Sequence, residues 1–146
     1  RAMALNPLDA SNEAIFLITF IDDWERGCSL IRRAMDLNPY VPGWYRVILA
    51  LNEYRKGNYR EAIAETVKAN TSGIWTDIVL SAAFGQLGEQ AAARNALKNL
   101  IAENPAETAR ELLTKWFDAE VVEHLVQGLC KAGLEIPYHH DIRENK

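Results

Sequence analysis

Arg33-Ala34-Met35-Asp36-Leu37-Asn38-Pro39 repeats, with one substitution, the stretch Arg1-Ala2-Met3-Ala4-Leu5-Asn6-Pro7. A third Asn-Pro pair stands at Asn104-Pro105, so the prolines lie 32 and 66 residues apart, the second interval being twice 33. A period of about 33 or 34 residues is the signature of stacked helical hairpins. The residues before two of these prolines keep the same spacing: Gly27, Ile31 and Ala34 before Pro39, and Ala93, Leu97 and Leu100 before Pro105. A middle copy runs through Ala62 and Ile63 to Ala69 and closes with Asn70-Thr71-Ser72-Gly73 in place of Asn-Pro. Small residues at 27, 62 and 93 fit a close crossing within each hairpin, because a larger side chain would force the helices beyond their usual separation of about 8 to 10 Å.

Outward from these anchors, hydrophobic spacing and turn residues predict helices at 9–21, 23–37, 43–56, 59–70, 74–87, 89–103, 105–116 and 118–132. The expected class is all-α. Three hairpins are expected within 8–104, a capping pair of helices within 105–133, and a flexible tail over 134–146. Residues 1–7 read as the end of a truncated preceding hairpin, and the chain as a fragment of a longer protein. Asp118 is placed to cap the last helix, with Gly133 as its left-handed terminator. Val121, Val122, Leu125, Val126 and Leu129 recur at three and four, giving that helix one face to lay on the preceding hairpin.

Tyr54-Arg55-Lys56-Gly57-Asn58-Tyr59-Arg60-Glu61-Ala62-Ile63 and Gly85-Gln86-Leu87-Gly88-Glu89-Gln90-Ala91-Ala92-Ala93-Arg94 resemble the inter-helix turns of tetratricopeptide repeats. The family's aromatic early in the first helix is displaced to Trp44 and Trp75 here, and its mid-helix glycine is replaced by Ile15, Ala50 or Ser81. A narrower resemblance runs through Pro42-Gly43-Trp44-Tyr45, Ala82-Ala83-Phe84-Gly85-Gln86-Leu87-Gly88 and the ending from Val122 through His124 and Gly128 to Gly133-Leu134. It is similar to the C-terminal tetratricopeptide region of bacterial multidomain signalling proteins, often joined to class III adenylate or guanylate cyclase domains or to winged-helix DNA-binding domains. The resemblance implies an α-solenoid of about three such hairpins plus the capping pair.

It also implies a protein-binding groove lined by the first helix of each hairpin. Matching positions are Asn12 and Phe16, then Val47, Leu51 and Tyr54, then Trp75, Ile78 and Ala82. That lining is mostly apolar and, apart from Asn12 and nearby Arg46, lacks the polar clamp that holds acidic chain termini. The expected occupant is therefore an apolar or helical protein segment, or a neighbouring segment of the same polypeptide. Beside this stands a packing reading in which Trp44, Trp75, Tyr54 and Tyr59 serve the core and inter-repeat contacts. Arg32-Arg33 and Arg55-Lys56 read as parts of a solvated outer face.

With 146 residues, 49% of them hydrophobic and 25% charged, the chain can bury one continuous core. Residues 61–146 carry thirteen acidic against eight basic side chains, which argues against nucleic acid as a partner of this segment. The longest apolar run, Ala14 to Ile21 interrupted by Thr19, is too short to cross a bilayer, and no basic leader precedes an apolar stretch. Cys28 and Cys130 both read as buried thiols, with no disulfide framework, which favours a cytoplasmic setting. His139-His140-Asp141 lacks companion ligands, and Glu120 with His124 reads as an ordinary helical surface pair. No catalytic residues, cofactor or metal are expected, and any cyclase chemistry belongs to another domain. The expected function is a non-catalytic interaction module, a regulatory or scaffolding part of a larger signalling protein. The alternative is a structural spacer or homodimerisation element.

Overall fold

The computed structural model describes the backbone of residues 7–103 and 106–135 and the side chains of 12–103 and 109–135. Among the described residues the chain is all-α, with eight α-helices and no strand. They are α1 (Pro7–Phe16), α2 (Trp24–Leu37), α3 (Trp44–Arg55), α4 (Tyr59–Ala69), α5 (Ile74–Leu87), α6 (Gln90–Glu103), α7 (Ala106–Trp116) and α8 (Ala119–Ala132). The expectations placed on residues 1–6, on Asn104-Pro105 and on 136–146, His139-His140-Asp141 included, lie outside the described residues.

The first helix departs from the expected continuous span of 9–21. After Phe16 it widens into a π-helical turn, Leu17–Ile21, that ends where Asp22 adopts a left-handed backbone at φ 60°. Asp22 then accepts a hydrogen bond from the Trp24 indole (3.1 Å), and the Asp23 carboxylate caps α2 by accepting from the Arg26 amide (3.1 Å). Trp24, Gly27, Cys28, Ile31 and Ala34 form the buried stripe of α2, while Arg26, Arg32 and Arg33 face water. Gly27 bears out the close-crossing argument: a Cβ there would collide with the Ile18 side chain and come within 3.1 Å of the Ala14 carbonyl.

The pairs α1–α2, α3–α4 and α5–α6 are each joined by a short turn and pack on one another as hairpins. The Arg46–Glu65 ion pair (3.2 Å) ties α3 to α4. Central to the array is α5, which touches α3, α4, α6 and α8. Its sequence explains that position: Ile78, Val79, Ala82 and Ala83 leave no water-facing polar stripe, so a stable packing must surround the helix. One apolar core extends from Ala14 to Leu134 through all eight helices' contacts.

The caps of α8 match the sequence reading, with the Asp118 side chain accepting from the Val121 amide (3.2 Å) and Gly133 left-handed at φ 118°. Two readings are corrected. Leu134, assigned to the flexible tail, is buried, and its amide donates to the Leu129 carbonyl (3.0 Å), so ordered packing continues past Gly133. Cys28 is buried as expected, but Cys130 is exposed, because it occupies the flank of α8 turned away from the face that meets α5.

Candidate functional site

One face of α3 carries Trp44, Val47, Ile48 and Leu51 and then Tyr54, at helical intervals of three and four. The corresponding face of α5 begins with Trp75 and continues to Ala82 and Gln86. The two ends of these faces are treated differently.

Over the C-terminal ends lies α8. Tyr54, only 1% exposed, donates from Oη to the His124 carbonyl (2.7 Å) and accepts from the Gln86 amide (3.1 Å). Burial pushes the Tyr54 hydroxyl pKa far up, so it remains a neutral donor. Tyr59 Oη lies 2.8 Å from His124 Nε2, and the imidazole packs on both tyrosine rings, with centroids 4.5 Å from Tyr54 and 5.9 Å from Tyr59. His124 is thus no surface partner of Glu120; it is half-buried against α3 and α4, and burial first, then the Lys131 charge, lowers its pKa. The helices meet at glycine: a Cβ on Gly128 would overlap Tyr54 Oη and the Ala82 carbonyl, and one on Gly85 would overlap the Gly128 carbonyl. Only a bare backbone permits that approach. Lys131 Nζ donates to Gln86 Oε1 (3.0 Å), closing the polar margin of the contact.

At the N-terminal ends the same faces line an apolar cavity of about 150 Å³. Val47, Ile48 and Leu51 come from α3, Ile15 from α1, and Ile18 and Thr19 from the π-helical turn. All four tryptophans of the chain, Trp24, Trp44, Trp75 and Trp116, converge on it. Phe117, at the corner between α7 and α8, completes the wall: its ring stacks on Trp24 (5.6 Å) and meets Trp75 edge-on (5.8 Å). The Arg55 guanidinium sits 5.2 Å from the centroid of the Trp24 ring and is held by the Asn52 side-chain oxygen (3.0 Å). Trp44 and Trp116 remain 38% and 39% exposed, which places them at the rim.

The eight expected groove residues therefore divide. Val47, Leu51 and Trp75 meet at the cavity. Tyr54 and Ala82 lie under α8, and Ile78 is fully buried, so none of these three offers surface to a separate molecule. Asn12 and Phe16 are exposed and stand outside the cavity lining, the Phe16 ring meeting Phe20 at a tilt with centroids 5.5 Å apart. Arg46, the nearby polar group, is engaged by Glu65. Sequence reasoning missed the cavity walls Ile15, Ile18, Thr19, Trp24, Ile48, Trp116 and Phe117, and placed Trp44 outside the expected groove. Their positions follow no common repeat, and only the folding-back of α7–α8 brings Phe117 to Trp24. One available signal was Gly128 in the middle of an otherwise strongly helical segment, which points to a close backbone approach.

No carboxylate pair, nucleophile with base, or convergent polar group stands at the cavity; Thr19 is the single polar side chain among its aliphatic and aromatic walls. Among the described residues no group of three His, Cys, Asp or Glu is arranged to hold a metal ion. No described helix is long and apolar enough to cross a membrane. No family model, curated protein or solved structure matches the chain.

Proposed function

We propose that the chain is a non-catalytic interaction module built as a solenoid of tetratricopeptide-type hairpins, serving a regulatory or scaffolding role within a larger bacterial signalling protein of the cytoplasm. The observation that carries this reading is the division of one continuous helix face between a seated helix and an open apolar cavity. By seating α8 along Tyr54 and Ala82, the face formed by α3 and α5 displays its capacity to hold a helix. The cavity and the exposed apolar side chains Phe16, Trp44 and Trp116 remain for an apolar segment of another protein or of another domain of the parent polypeptide. Resemblance of the hairpin turns to tetratricopeptide repeats supports the same reading.

Capture of candidate domains by the full chain tests it, with Phe16→Ala and Trp44→Ala as comparison variants whose fold is verified by circular dichroism. Capture that both substitutions weaken supports the module. Capture indifferent to both places any partner elsewhere on the surface and ends this reading of the site.

A second reading, a homodimerisation or spacer element, is favoured by one observation: Phe20 and Ile21 are 72% and 54% exposed beside Phe16. Such a run of exposed apolar residues marks an interaction surface when it is contiguous. Sedimentation equilibrium separates the readings, since a dimer lost in Phe20→Asp would favour self-association.

A further inference from the structure

We infer that the tryptophan-walled cavity is a binding site for one small, uncharged aromatic molecule of benzyl size, a ligand class distinct from the protein segment considered above. The inference needs only the cavity and stands or falls independently of the interaction-module reading.

Three features specify the ligand. Size comes first: an apolar cavity of about 150 Å³ accommodates a benzene-sized ring. Polarity comes second. Among the described residues no acidic or basic side chain lines the cavity, so an ionised group brought there would lose much of its hydration without an opposite charge to replace it, and the indoles offer a cation only their ring faces. A cation meets a further obstacle in the Arg55 guanidinium, which already occupies a position over the Trp24 ring.

The third feature is continuity with a contact the chain already makes. Phe117 delivers a benzyl group into the gap between Trp24 and Trp75, at 5.6 and 5.8 Å between centroids. These spacings lie within the range favoured by offset and edge-on aromatic pairs. The cavity extends this row of rings, so a second benzyl-sized group entering it would meet the same kind of wall that holds the first. Thr19, on the π-helical turn, can supply a single hydroxyl contact, which admits a phenol or benzyl alcohol as well as toluene.

Titration of the full chain with iodobenzene, followed by quenching of tryptophan fluorescence, tests the assignment directly because all four indoles border the site. Toluene competition and the methyl NMR shifts of Val47, Ile48 and Leu51 locate the bound ring. The expected result is saturable one-site quenching relieved by toluene, with shifts concentrated on those methyls. Ile48→Phe fills the cavity from a half-buried position and is expected to weaken toluene binding at least tenfold; Thr19→Leu provides a second filling variant if the first fails to fold. Quenching that rises linearly without saturation, or an unchanged affinity in a folded filling variant, would overturn the proposal. So would benzylammonium binding more tightly than toluene, since that would identify a cation site.

Discussion

The two ends of α3 carry the same kind of side chain and meet different fates. At its C-terminal end Tyr54 is 1% exposed, hydrogen-bonded to the backbone of α8 and roofed by Gly128. At its N-terminal end Trp44 is 38% exposed on the rim of the apolar cavity. What separates them is the partner. Across from Tyr54 the chain places a glycine, which lets a helix backbone approach to contact distance; the cavity that Trp44 borders is walled by the bulky Trp116 and Phe117 instead, and no described helix backbone closes over it. An aromatic residue at helical spacing is thus core or surface according to the size of what faces it.

Tyr54→Ala breaks the closed end most severely. It removes a buried ring and deprives the His124 carbonyl and the Gln86 amide of a partner, so a stability loss of about 3–5 kcal/mol is expected in urea denaturation. The expected effect on binding to the open end is indirect only. A loss under about 1 kcal/mol would mean that α8 is readily displaced and that Tyr54 belongs to an accessible groove after all.

Gly128→Val should cost about 2–3 kcal/mol, because its side chain must push α8 away from Ala82 and Tyr54. Hydrogen exchange provides the sharper reading. Amides of α8 should lose protection while those of α1 and α2 keep most of it, since these two helices pack directly on one another, with Gly27 against Ile18 and Ala14.

Much of this division escapes the sequence for physical reasons. Helix limits were legible because they are set locally: Asp118 caps, Gly133 terminates, and the apolar stripe of Trp24, Cys28 and Ile31 names its own buried face. The π-helical turn after Phe16 was not, because Leu17 to Ile21 is apolar on every side and no residue there signals the extra width. At the site, Val47, Leu51 and Trp75 were identified as neighbours through the resemblance of the repeats. Tyr54, Ile78 and Ala82 were assigned to the same groove on equal terms, since repeat position says which face a residue occupies and nothing about what later covers that face. The covering helix and the Phe117 corner come from the non-repeating C-terminal segment; its apolar stripe and Gly128 mark a helix that packs closely, but which part of the α3 and α5 faces it covers is a tertiary choice.

A milder probe of the closed end is pH. Burial and Lys131 lower the pKa of His124 in the folded chain below its ordinary value of 6.5, so the unfolded chain binds the proton more readily. The resulting contribution is fully present above about pH 6.5 and is lost as pH falls through the folded value. Unfolding free energy measured between pH 7.5 and 5 should therefore decline toward acid, with a smaller total change than either substitution because the ring is only half-buried. In His124→Gln this part of the slope should disappear. A slope unchanged in that variant would assign the acid sensitivity to other groups.

The smallest effect is expected at the open end, from Phe20→Ala. Phe20 is 72% exposed, and its principal aromatic neighbour, Phe16, is itself half-exposed, so the rings exchange little water for protein on folding. The stability change should stay within about 0.5 kcal/mol, the range of surface substitutions that touch no cap, cavity or buried network. The same substitution removes a large apolar side chain from the flank of the π-helical turn that supplies Ile18 and Thr19 to the cavity. Self-association or capture of a partner should therefore respond to it when thermal stability does not. A loss above about 2 kcal/mol would require Phe20 to be covered within the monomer, and the contrast between a closed and an open end of the same helix faces would then no longer hold.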